Sequence, residues 1–169
     1  MVSSTISKSN INYSYYNSFN YKNIYTSTRF GYDLPKVFLF NVGYIFRYEN
    51  IKYIPTIGII ANKMTGVSIG LDIQYSKNKI NITSLNQFMI DCKYDNSLVY
   101  NWTEFSYEIK TYFKPGMTIM PVYYFNSKSY TDVGVNVFTT INNIDIGVYC
   151  FNFWNESRYL YLSLSYTFK

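Results

Sequence analysis

The sequence has no histidine, a single alanine (Ala61) and two cysteines, and charged residues make up only 15% of its 169 positions. Each scarcity excludes something. Without an imidazole, no chemistry that needs a histidine base or ligand is open to this chain. Alanine is the strongest helix former, so a chain that avoids it while using Tyr, Ile, Thr and Phe freely is not a helix bundle. A charge content well under the roughly 25% of ordinary soluble domains leaves a thin coat for water. No run of 18 apolar residues occurs, which excludes a transmembrane helix. Cys92 and Cys150 lie far apart without metal-ligand spacing, and a disulfide between them stays open. There is no Gly-rich phosphate loop, Cys/His cluster or Ca²⁺ loop, so no metal or other cofactor is expected. The opening residues, MVSSTISKSNINYS, lack the apolar core of a signal peptide. That leaves open a leader already removed or replaced, or a piece of a longer chain.

What is present is aromatic and amide-rich. Tyr, Phe and Trp supply 36 residues and Asn another 19. So much apolar surface argues against disorder. The net charge is +5, but Lys and Arg are scattered rather than patched, so no nucleic-acid partner is expected. Basic residues near strand ends would suit anionic headgroups.

The strongest signal is alternation with period two. Val67, Ile69, Leu71, Ile73 and Tyr75 alternate with Ser68, Gly70, Asp72, Gln74 and Ser76. Thr103, Phe105, Tyr107 and Ile109 alternate with Glu104, Ser106, Glu108 and Lys110. Leu160, Leu162, Leu164, Tyr166 and Phe168 alternate with Tyr161, Ser163, Ser165 and Thr167. Turn chemistry separates such runs, including Glu49-Asn50, Lys77-Asn78, Pro115-Gly116 and Asn142-Asn143. The pattern predicts about ten strands, within a range of eight to twelve: roughly 24–33, 37–48, 52–61, 66–76, 80–93, 98–113, 117–126, 131–141, 144–154 and 158–168. Residues 1–23 are an N-terminal leader or an extra strand, and residues 24–169 form one barrel domain.

One face of these strands is Phe, Tyr, Ile, Leu and Val; the other is Ser, Gly, Asn, Thr and Gln with isolated charges. In a soluble sandwich the apolar face turns inward and Lys and Glu meet water. A transmembrane barrel inverts this, with apolar residues toward lipid and small polar ones inside. Strands of 9–11 residues or more are what a bilayer demands. Tyrosines gather near strand ends, where a ring sits in the apolar zone and its hydroxyl stays wet. The predicted fold class is therefore all-β, a closed antiparallel up-and-down transmembrane β-barrel.

The run from Arg158 to Lys169, with Leu160, Leu162, Leu164, Tyr166 and Phe168 on one face, resembles the closing strand of small outer-membrane β-barrel proteins of Gram-negative bacteria. The composition is similar in style to Bacteroidota proteins. One departure is that Lys169 rather than Phe168 is terminal. The resemblance implies an outer-membrane location, surrounding lipid, and recognition of this strand by the barrel-assembly machinery. Small barrels of that kind with protease, phospholipase, deacylase or palmitoyltransferase activity rely on a histidine, which this chain lacks.

If the alternation holds, the lumen contains Arg29, Arg47, Asp72, Asp91, Lys93, Glu104, Glu108 and Lys110. Opposite charges in a narrow barrel should pair. Glu104 and Glu108 would sit roughly 13 Å apart along a strand, too far for a glycosidase pair. The expected function is non-enzymatic: a structural subunit or membrane anchor of a larger envelope complex, docking other outer-membrane proteins or lipoproteins. The alternatives are a narrow pore for ions or small solutes and a soluble lipocalin-like lipid-binding barrel.

Overall fold

The computed structural model describes residues 2–6, 11–31, 36–92, 96–110, 112–141 and 144–166, with side chains described from Tyr15 to Leu164 within those segments. Every element among them is a strand. The segments are β1 (Val2–Ile6), β2 (Ile11–Tyr21), β3 (Ile24–Phe30), β4 (Val37–Tyr44), β5 (Phe46–Tyr48), β6 (Ile51–Asn62), β7 (Gly66–Lys77), β8 (Ile80–Asp91), β9 (Leu98–Tyr107), β10 (Lys114–Tyr124), β11 (Tyr130–Ile141), β12 (Ile144–Phe151) and β13 (Tyr159–Tyr166). β4 and β5 both pair with β6 on either side of Ile45, so together they act as one interrupted strand. The result is a twelve-stranded antiparallel up-and-down sheet rather than one of ten. The two strands beyond the predicted ten are β1 and β2, in the stretch expected to be a leader or a single strand. β1 pairs with β13, Val2 lying opposite Leu164.

The turn expected at Pro115-Gly116 is instead displaced upstream. β9 ends at Tyr107, Lys110 and Phe113 bridge, and Pro115 and Gly116 already belong to β10. Pro115 pairs with Val137 of β11, while the β9 ladder begins only at Gly116. A proline tolerates a strand where its missing N–H has no partner to serve.

Because the strands alternate in direction, their connections fall into two sets. One end carries 22–23, 49–50, 78–79, 108–113 and 142–143. The other carries 7–10, 31–36, 63–65, 92–97, 125–129 and 152–158. The first is the short-turn end, and both β1 and β13 have their outer termini there. Its tight turns use left-handed residues, with Asn78 at φ 49 and Lys79 at φ 71, the geometry that matches the twist of a hairpin.

The two faces of the sheet differ sharply. Side chains of one phase are exposed although apolar: Phe40 (37%), Ile69 (56%), Phe105 (44%) and Leu162 (39%) all point away from the buried side. Aliphatic side chains run along the whole of this wall, Ile24, Ile51 and Ile141 standing at the short-turn end, and aromatic ones join them toward both ends. Aliphatic side chains such as Val42, Ile57, Ile69, Val135, Val148 and Leu162 hold the middle. Tyr21, Tyr44, Phe46, Tyr48, Tyr53 and Tyr107 stand toward the short-turn end, and Phe30, Phe88, Tyr123, Phe125 and Tyr130 toward the other. One polar knot interrupts the wall on β8 and β9. Asn101 donates to Asn86 Oδ1 (2.6 Å) and to Ser84 (3.2 Å), and Ser84 and Thr103 share a hydroxyl–hydroxyl bond (2.9 Å).

Candidate functional site: a plugged interior with a polar cavity

Side chains of the opposite phase are buried, and they reach strands that are not their sheet neighbours. The sheet therefore curls around this face. Three zones follow one another from the long-loop end to the short-turn end.

The first is apolar. Val37, Leu39, Ile60, Met64, Met89, Leu98 and Val122 come from strand ends or loops at the long-loop end and are fully or nearly fully buried. Tyr100, Trp102, Tyr149, Phe151 and Tyr161 continue the cluster inward. Trp102 packs edge-on against Tyr149 and Phe151 at centroid distances of 5.5 and 5.6 Å, and Tyr149 meets Tyr161 at 5.2 Å. Offset and edge-to-face contacts of this kind add to the burial of large rings. The interior at this end is stoppered by side chains.

A polar belt comes next. Arg29 of β3 faces Asp72 of β7 at 3.6 Å, and its guanidinium also donates to Gln87 of β8 (3.4 Å). Gln87 and Ser68 both donate to Asn41 Oδ1, at 3.3 and 2.9 Å, and Asn41 in turn donates to Ser27 (3.4 Å). A Cβ at Gly58 would collide with that same Asn41 oxygen and with the Phe40 carbonyl, so the belt needs a glycine there. Buried charges must be paired and hydrogen-bonded to be tolerated.

The third zone is hollow. A cavity of about 480 Å³ is lined by Tyr16, Asp72, Gln74, Asn81, Thr83, Ser84, Leu85, Trp102, Glu104, Ser106, Lys114, Phe138, Thr140, Asp145 and Tyr149. Most of these come from the short-turn halves of their strands. Glu104 sits where the hollow meets the aromatic stopper. Its Oε1 accepts bonds from Trp102 Nε1 (3.0 Å) and from the Tyr149 hydroxyl (2.9 Å), while Oε2 has only a long contact with Tyr149 (3.4 Å). Asp145 accepts from Thr140 (2.6 Å), and Lys114 pairs with Glu108 at 3.6 Å.

No family model, curated protein or solved structure matches this chain.

Of the residues expected inside, Arg29, Asp72 and Glu104 lie on the buried side, and the first two form an ion pair. Asp91 is buried apart from them. Its amide donates to Ser97 Oγ (3.0 Å) and its carboxylate accepts from Asn96 (3.3 Å), which ties Asn96 and Ser97 to the end of β8. Glu108 pairs with Lys114 just past the end of β9. Arg47 and Lys110 are exposed rather than enclosed, because each lies where its strand runs out. Arg47 donates to Asn23 (3.2 Å), and Lys110 stands 5.6 Å from the Tyr112 ring. Lys93 falls outside the described residues. Leu160, Leu162 and Leu164 are exposed on the outer wall; Tyr166 ends β13, and Phe168 lies beyond the described residues. Cys92 and Cys150 are free thiols. Among the described residues, no three of Cys, Asp and Glu gather closely enough to hold a metal ion.

The aromatic stopper was missed from the sequence. Its signal is there: Tyr161 shares the phase of Ser163, and Trp102 that of Glu104.

Proposed function

We propose that the sheet closes into a twelve-stranded barrel, with β1 against β13 as the seam, and that it resides in the outer membrane of a Gram-negative bacterium as a non-enzymatic structural subunit or anchor. The ladders of β4 with β6 and of β1 with β13 support closure, because hydrocarbon does not tolerate unpaired strand edges; among the described strands β5 pairs with β6 alone. The supporting observation is the exposed apolar wall, with aliphatic side chains along its height and aromatic ones added toward both ends, set against a hydrogen-bonded polar interior. Membrane barrels carry the same banding, with short turns on the periplasmic side and longer loops outside. The short-turn end then faces the periplasm. Lipid surrounds the barrel, the barrel-assembly machinery inserts it through β13, and other outer-membrane proteins or lipoproteins dock on its wall.

The stopper favours a sealed barrel over a pore, because the rings of Trp102, Tyr149, Phe151 and Tyr161 fill one end of the interior. A soluble lipid-binding barrel would have to leave the outer wall in water. The test is fluorescent labelling at single cysteines in a Cys92→Ser/Cys150→Ser background reconstituted in vesicles. Labels at Ile57, Ile69 and Leu162 should be quenched by spin-labelled acyl chains, and labels at Ser68 and Thr118 should not. Aqueous iodide quenching the first set instead would defeat the reading. Planar-bilayer recordings should show no stable openings; regular conductance steps would move the assignment to the pore.

A further inference from the structure

The cavity at the short-turn end carries a charge pattern that the chain as a whole does not. The net charge is +5, yet the lining holds Asp72, Glu104 and Asp145 against a single Lys114. Arg29 compensates Asp72, and Glu108 compensates Lys114. Among the described residues, the donors to Glu104 are neutral, the Trp102 indole and the Tyr149 hydroxyl, and neither ion pair includes it. Both short bonds fall on Oε1, so Oε2 is the oxygen left to the cavity. Around it stand aromatic rings. Trp102 and Tyr149 meet at 71°, and Phe138 and Tyr149 at 90°; all three line the hollow with Glu104, Trp102 and Tyr149 being largely covered by their neighbours and Phe138 the more open ring.

A carboxyl group without a countercharge among the described residues, beside aromatic rings, is the chemistry that recognises alkylated ammonium ions. We propose that this cavity binds a small alkylated ammonium ion, with its cationic head at Glu104 and against the rings of Trp102, Tyr149 and Phe138. The volume, about 480 Å³, lies in the range of small-molecule sites. A divalent metal ion fits poorly, since hard cations need several oxygens and no such group is assembled among the described residues. An anion would meet an excess of carboxylates. The polar groups nearer the short-turn end of the hollow, Gln74, Asn81 and the bonded Thr140 and Asp145 among them, leave room for a hydrated tail.

The experiment uses the full chain, folded in detergent, with Trp154→Phe so that Trp102 is the only indole. Butyltrimethylammonium is titrated against a potassium control of equal ionic strength, with Trp102 emission and calorimetry as readouts. A saturable response is expected for the ammonium and none for potassium. Glu104→Gln should weaken binding about tenfold or more, since a charge-assisted contact is replaced by a neutral one. Heat-modifiable mobility on a gel shows whether that variant is folded. Should it fail to fold, Ser106→Lys places an internal ammonium in the same cavity and should abolish the response. No saturable response, or an equal one in a folded Glu104→Gln or Ser106→Lys protein, overturns the proposal. Either failure with heat-modifiable mobility intact leaves the barrel assignment standing.

Discussion

At the long-loop end, β9, β12 and β13 turn Tyr100, Trp102, Tyr149, Phe151 and Tyr161 toward the interior. Further along the same strands, on the same face, stand Glu104, Ser106, Gly147, Asp145 and Ser163. Nothing in the backbone changes between the two zones; the strands are continuous and the ladder registers run through both. The phase of the alternation decides which side chains face in. The residue chosen at each inward position decides whether that level of the interior is packed dry or left hollow. Packed levels supply rigidity and a seal, and hollow levels supply a place for water or a ligand.

Truncation should separate the zones most strongly. Phe151→Ala removes a fully buried ring from the stopper and should lower stability by about 3–5 kcal/mol, read by urea unfolding in lipid vesicles. A loss under about 1 kcal/mol would mean that the dry zone is not tightly packed. Next comes the belt between the zones. Arg29→Met leaves Asp72 without its guanidinium and should cost about 3 kcal/mol, and adding Asp72→Leu should recover much of it. Equal losses in single and double variants would show the pair to be uncoupled. In the wet zone, Thr140→Val deletes the bond to Asp145, but water can replace it, so the change should stay near 0.5–1 kcal/mol in the same assay. The smallest effect, of opposite sign, is expected at the 78–79 turn. Lys79→Gly relieves a left-handed residue and should raise the unfolding midpoint by an amount equivalent to about 0.5 kcal/mol.

Much of the strand layout was legible in the sequence because alternation of Ile, Leu, Val and Phe with Ser, Gly and Asn is a direct trace of a two-faced sheet. The outward phase at Val67, Ile69 and Leu71 and the inward phase at Ser68 and Asp72 could be read residue by residue. Three features resisted. Residues 1–23 conceal two strands because β1 is only five residues long and because Tyr16 and Asn17 interrupt the alternation of β2 at its centre. Pro115-Gly116 has turn chemistry by local rules, but the register lets Pro115 serve only the β11 side. The stopper escaped because aromatic residues stand on both faces at the long-loop end. With small polar groups expected inside, the inward phase of Tyr161 carried no expectation of an aromatic filling. The scattered charges were harder still. Sequence phase puts Arg47 and Lys110 with Arg29, but phase carries no information on whether a strand has already ended.

The ladder between β1 and β13 joins opposite ends of the sequence, whereas every other ladder links neighbours along the chain. In the proposed ring it is therefore the last to zip. While the polypeptide is still being made, hairpins from β2 onward have their partners at hand, but Val2 must wait for Leu164. Until then two bare backbone edges persist, each a template for pairing with a foreign strand, and closing so long a loop is slow.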